Sequence, residues 1–156
     1  MNSPDKLSKL YIEITTACNL DCQMCVRRSW DEPIGHMAVD TFRSLMADLS
    51  DLSLPPTIHL SGYGEPMSHP QFLELVRLAK ATGGSVEVTT NGMLLDTGMA
   101  EALVDLDLNR LVVSIDAVDP KRYDDIRVRS SYEQVLENMR YLRRLKLRRG
   151  AVSYTH

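Results

Sequence analysis

Residues 10–25 read Leu10-Tyr11-Ile12-Glu13-Ile14-Thr15-Thr16-Ala17-Cys18-Asn19-Leu20-Asp21-Cys22-Gln23-Met24-Cys25. The first five residues have the apolar alternation of a short strand, Leu10 to Ile14. The strand runs into a loop whose thiols follow C-x3-C-x2-C spacing, and these three are the only cysteines of the chain. An odd, tightly clustered set is a poor disulfide framework and a good metal site. Three thiolates leave a tetrahedral or cubane centre one ligand short, and an open coordination position is where chemistry happens. Three unrelated core cysteines are improbable at this spacing, and two readings stand side by side. One is an iron–sulfur cluster with one iron left open. The other is a zinc site closed by a fourth ligand such as His36. Zinc sites usually use paired C-x2-C spacings, and this run is not paired, which favours the cluster.

Outward from this loop the chain alternates between two periodicities. Val39, Phe42, Leu45, Met46, Leu49 and Leu52 recur at helical spacing, and Pro55-Pro56 stops that helix. Thr57 to Leu60 reads as a second strand. Ser68 with Gln71 forms a capping-box pattern, with Pro70 in the first turn, for a helix that runs to Gly83-Gly84. Ser85 to Thr89 is a third strand, about Gly98 to Leu106 a third helix, and Arg110 to Ile115 a fourth strand. Ser130 with Glu133 is a second capping box, followed by the helical face of Tyr132, Val135, Leu136, Met139 and Leu142. The order β-α-β-α-β-α-β-α predicts an α/β fold with parallel strands and right-handed crossovers. With no internal repeat, linker or low-complexity tract, residues 1–156 read as a single domain.

Composition sets bounds on function. The chain has 156 residues, 44% hydrophobic and 25% charged, with a net charge of −3. That is globular rather than disordered, and nothing global points to nucleic acid or an anionic membrane. The start, Met1 to Lys6, has no apolar run behind it, and no stretch approaches the ~20 apolar residues of a membrane span. Free thiols without an export signal predict a reducing, cytoplasmic setting.

Ligand sites in such folds lie at the carboxyl ends of the strands. There the sequence places the cysteine loop (residues 16–30), Gly62 to Pro66, Thr89 to Gly92, and Ser114 to Asp116. Glycines at a strand end let a ligand approach the backbone, and Glu65 could accept from a cationic amine. Taken alone, that stretch is better read as a turn with Glu65 solvated. Asn91-Gly92 is a common turn signal, and Asp116 could cap a loop as readily as it could bind ribose hydroxyls. Arg127 could pair with a ligand carboxylate, or with Asp124 or Glu133. His59 and His69 have no evident partners and read as structural. The arginines of the last helix read as a solvated face rather than a nucleic-acid patch.

C-x3-C-x2-C after the first strand, Gly-Glu-Pro after the second, Thr-Asn-Gly after the third and Ser-Ile-Asp at the fourth together resemble the radical S-adenosylmethionine enzymes, over essentially the whole chain. The resemblance implies a 4Fe–4S cluster held by Cys18, Cys22 and Cys25. It implies S-adenosylmethionine chelating the open iron, and reductive cleavage to a 5′-deoxyadenosyl radical that abstracts a substrate hydrogen. Met24 then stands where an often aromatic residue touches adenine. Gly62, Gly64 and Glu65 hold the methionyl amine, Ser114 and Asp116 face the ribose, and Arg127 faces the methionyl carboxylate. Thr90 and Asn91 line the site. A low-potential donor, ferredoxin or flavodoxin, is implied as electron source. The run Arg27 to Met37, with Trp30 and Pro33, resembles radical enzymes associated with maturation of tungsten-cofactor oxidoreductases, which implies an unknown cofactor or peptide as substrate.

The family's domain usually has about six βα units in a partial barrel. Only four are legible here, and the strands that usually complete the adenosine site are absent. The expected fold is therefore a partial barrel truncated to four units, with an open fourth-strand edge that invites aggregation or a partner chain. Two further readings follow: a truncated cluster-binding module that cannot complete the reaction, and a small zinc-binding protein.

Overall fold

Four short apolar runs build the sheet. The computed structural model describes residues 7–31 and 33–150; the expectations for Met1 to Lys6 and for the last six residues lie outside them. Strands β1 (Lys9–Ile12), β2 (Thr57–Leu60), β3 (Val86–Thr90) and β4 (Arg110–Val113) pair in parallel in the order β1-β2-β3-β4. Parallel neighbours require crossovers, and helices supply them: α1 (Val39–Ser50), α2 (Phe72–Ala81), α3 (Thr97–Asp105), α4 (Pro120–Ile126) and α5 (Tyr132–Arg148). The expected α/β architecture is present, with four parallel strands in a partial barrel.

Alternation sorts each strand's side chains onto two faces. Ile12, Ile58, Leu60, Val86, Val88 and Leu111 are buried against Phe42, Met46 and Leu49 of α1, Leu75, Val76 and Ala79 of α2, Leu103 of α3, and Leu142 and Leu145 of α5. Each such side chain contributes about 1.5–3 kcal/mol by leaving water. Among the described residues, no helix covers the opposite face. Tyr11 lies opposite His59, His59 opposite Glu87, and Glu87 opposite Arg110.

Three local expectations need correction. The second helix does not start from a box at Ser68. Pro66–Ser68 forms a 3-10 turn, and the His69 ring accepts from the Gln71 amide at 3.0 Å to open α2. The last helix is capped one residue later than expected, by Ser131, whose side chain accepts from the Gln134 amide. A short helix, α4, was not expected at all. Asp119 caps it through the Arg122 amide at 2.8 Å, and Pro120 occupies its first turn, where the missing N–H does no harm. His59 and His69 do have partners: His59 Nε2 lies 2.8 Å from Thr89 Oγ1, and His69 Nε2 lies 2.9 Å from the Met37 carbonyl.

Candidate functional site

The cysteine loop is held from both ends of the chain. Thr15 Oγ1 accepts from the Ala17 amide at 3.0 Å, and the Glu65 amide donates to the Ala17 carbonyl at 2.8 Å. Further along, the amides of Asp21 and Gln23 donate to the carbonyls of Val128 and Ile126 at 3.0 and 2.9 Å. The Gln23 side chain adds a bond to the Asp125 carbonyl at 2.7 Å. The residues that end α4 thus form the seat of the loop, which gives that unexpected helix a function. A turn from Cys22 O to Cys25 N closes the C-x2-C step. Val26–Ser29 then leaves as a 3-10 turn.

All three thiols are free and half-buried. Burial pushes the Cys18 and Cys22 thiols above their ordinary values, against the pull of the Leu20 amide on Cys18 and of the Arg127 guanidinium on Cys22. The three line one cavity of about 220 Å³, together with Met24, Gly62, Gly64, Glu65, Thr90, Asn91, Ser114 and Arg127. Of the residues that the resemblance assigns to the cluster and to S-adenosylmethionine, only Asp116 stands outside it. Asp116 lines a separate recess beyond β4 and binds Arg127 Nε through Oδ2 at 2.5 Å. Arg127, 7% exposed, therefore pairs with neither Asp124 nor Glu133. Its guanidinium also packs over Tyr123, 5.7 Å from the ring centre.

The second-strand loop is shaped by close approach. A Cβ on Gly64 would run into the Thr15 carbonyl oxygen and lie 2.9 Å from that of Ala17, so only glycine lets this loop lie against the cysteine loop. Glu13, which the sequence did not single out, accepts the amides of Tyr63 and Gly64 at 2.5 and 3.1 Å. Glu65 is 2% exposed. Its carboxylate accepts from Met67 N at 3.1 Å, Thr90 Oγ1 at 2.8 Å and Asn91 N at 2.7 Å. Burial raises its pKa, and these three donors pull it back down. A carboxylate has about four lone-pair sites, so one remains for a further donor. Asn91 reaches the cysteine loop, donating to Asn19 Oδ1 at 2.9 Å with Cys18 Sγ at 3.8 Å. Over the mouth, Trp30 meets Tyr63 edge-on at 4.9 Å.

Residues 12–156 match the Radical SAM superfamily. The chain belongs to the radical SAM superfamily. It is 36% identical over 109 residues to the tungsten-containing aldehyde ferredoxin oxidoreductase cofactor-modifying protein of Pyrococcus furiosus, covering 70% of this chain and 31% of that protein. It is 38% identical over 126 residues to a GTP 3′,8-cyclase of Chlorobaculum tepidum, covering 80% and 37%. The chain thus spans about a third of the length of these curated relatives. Its fold matches Streptococcus suis SuiB bound to S-adenosylmethionine, with a TM-score of 0.74 at 17% identity, covering 88% of this chain and 31% of that one. Radical SAM proteins are enzymes that bind a 4Fe–4S cluster and S-adenosylmethionine.

The residues present fit that group. His36, the candidate fourth zinc ligand, does not line the cavity that the three thiols share; its Nδ1 lies 2.8 Å from Thr15 Oγ1 and its ring meets His69 edge-on. Three free thiols around one cavity suit a cluster that takes one thiolate per iron. Among the described residues, no helix is long and apolar enough to cross a membrane.

Proposed function

We propose that this chain is the cluster- and S-adenosylmethionine-binding part of an enzyme that acts by hydrogen abstraction in cofactor or peptide maturation. The single observation that carries the reading is the convergence of Cys18, Cys22 and Cys25 with Gly64, Glu65 and Asn91 on one cavity. When bound, the cluster and S-adenosylmethionine supply a 5′-deoxyadenosyl radical for the abstraction. In this reading Cys18, Cys22 and Cys25 hold the irons. Glu65 offers its remaining lone pair to the methionyl amine, and Gly62 and Gly64 line the cavity beside it. Arg127, oriented by Asp116, presents the rest of its guanidinium to the methionyl carboxylate. Ser114 and Thr90 line the wall, and Met24, 56% exposed, covers the adenine. Asp116 reaches the ribose only from the neighbouring recess, so its main role is to orient Arg127.

Maturation of a tungsten oxidoreductase cofactor is the specific activity we propose. It is supported by the Pyrococcus furiosus relative and by the run from Arg27 to Met37. A low-potential carrier such as ferredoxin or flavodoxin supplies the electron. The experiment is anaerobic reconstitution with iron and sulfide, then reduction and addition of S-adenosylmethionine, with 5′-deoxyadenosine as the readout. Product that disappears in Cys18→Ala, Cys22→Ala and Cys25→Ala supports the reading. Normal iron and sulfide loading in all three variants ends it. A loaded cluster without product favours the second reading, a module completed by further strands at the β4 edge, because among the described residues β4 has a neighbour on one side only.

A further inference from the structure

The helix-free face of the sheet holds a group of charges that the cavity chemistry does not use. Lys9 Nζ binds Glu87 Oε2 at 2.7 Å. Arg110, with 46% of its side chain exposed, approaches the same carboxylate only to 3.8 Å. Two permanent cations share one acid at the lower end of the face, while Glu13, the other acid of this face, is held at the upper end by the Tyr63 and Gly64 amides, so the surplus positive charge is local to Lys9 and Arg110. His59 sits between them. Its Nε2 meets Thr89 Oγ1, while its buried Nδ1 has no hydrogen-bond partner and stands 3.5 Å from Glu87 Oε2. A buried polar atom left unpaired is costly, and a ligand or water that reaches it removes the cost. The exposed ring of Tyr11 stacks on His59 at 4.8 Å and gives the group a flat wall.

We propose that this face seats the substrate, and that Arg110, Lys9 and His59 take an anionic oxygen group of it, a carboxylate or a phosphate. Thr89 makes the connection, since it both lines the cavity and bonds to His59. The row of His59 and Arg110 lies two residues below the row of Thr89, about 7 Å along the strands. An anion held there directs the rest of a small molecule up the face toward the thiols. The inference rests on the radical SAM reading for the reactive centre, and on the charges of this face for the substrate class.

Calorimetric titration at fixed ionic strength tests it, with inorganic phosphate and acetate as probes, on both the reconstituted and the metal-free chain. One saturable site is expected, weakened at least tenfold in Arg110→Gln and in Lys9→Met and unchanged in Arg143→Gln on the exposed side of α5. Tighter phosphate assigns a phosphoester substrate, and tighter acetate a carboxylate. A shift of the His59 ring nitrogens on anion addition, read by NMR, locates the site without any substitution. Absence of saturable binding for both anions, or equal weakening by Arg143→Gln, overturns the proposal. Because the metal-free chain is titrated too, failure to load a cluster or to form 5′-deoxyadenosine leaves this result standing by itself.

Discussion

Glu65 Oε2 accepts the backbone N–H of Asn91 at 2.7 Å, and this bond ties the loop after β2 to the loop after β3 at the cavity wall. The other oxygen holds Met67 N and Thr90 Oγ1. Glu65→Ala therefore strands buried donors rather than merely removing a ligand contact. The expected loss is about 2–4 kcal/mol of stability, since each orphaned donor costs about 1–3 kcal/mol. In a chain of this size that lowers the unfolding midpoint by roughly 5–15 °C. Thermal unfolding of the metal-free chain checks it; an unchanged midpoint would show that the clasp is not made.

Gly64 and Gly98 give opposite outcomes for the same substitution. Gly64→Ala drives a methyl into the Thr15 carbonyl, a backbone contact that cannot swing away, and is expected to cost about 2–3 kcal/mol. At Gly98, in the first turn of α3, an added Cβ meets only Asp96 Oδ1 at 3.6 Å. Gly98→Ala should stabilise by about 0.5–1 kcal/mol through helix propensity and a less flexible unfolded chain. Urea midpoints measure both; a common sign for the two variants would contradict the geometry.

Asp119 is distant from the thiols in sequence, yet it caps the helix whose last carbonyls seat the cysteine loop. Asp119→Ala is expected to cost about 1 kcal/mol as a lost N-cap. The informative readout is local. Hydrogen exchange at the amides of Asp21 and Gln23 should quicken more than exchange in β2 or β3. Uniform acceleration across the chain would deny the coupling.

His59 gives the pH dependence. Burial lowers its pKa, with Glu87 pulling upward and Lys9 and Arg110 reinforcing the drop. The folded chain keeps the ring neutral where the unfolded chain, with a value near 6.5, takes up a proton. Stability from this group is therefore present above about pH 6.5 and declines as the pH falls through the lower folded value. Denaturation at pH 7.5 and pH 5.5 should show a larger loss for the wild type than for His59→Gln. Equal losses would assign the acid sensitivity to other groups.

The strands were legible because apolar residues alternate along them, as at Ile58 and Leu60 or Val86 and Val88, between breaks such as Pro55-Pro56 and Gly83-Gly84. Helix α4 was not, since only Tyr123 of its residues is buried and a short segment has no period to read. The Asp119-Pro120 pair was the available signal. The cap at Ser131 rather than Ser130 turns on which of two adjacent serines leaves the helix, a matter of backbone angles. The site was legible as a set of motifs, and all of its residues but one share the cavity. The Asp116–Arg127 pair was not, because it forms only when α4 folds back from the end of β4. The row of Tyr11, His59, Glu87 and Arg110 was equally hidden. Four residues from four strands become neighbours only once the register is set.

The seat of the cysteine loop has a consequence for how the chain is made. Gln23 is tied to the Asp125 carbonyl, 102 residues downstream. At a synthesis rate of about 5–20 residues per second, roughly 5–20 s pass between the appearance of the thiols and that of the carbonyls that fix their loop. During that interval the cysteines are three reactive groups on an unbraced segment, open to oxidants and to the wrong metal. In the proposed reading, the cluster therefore meets a braced loop only once Asp125, Ile126 and Val128 have been made.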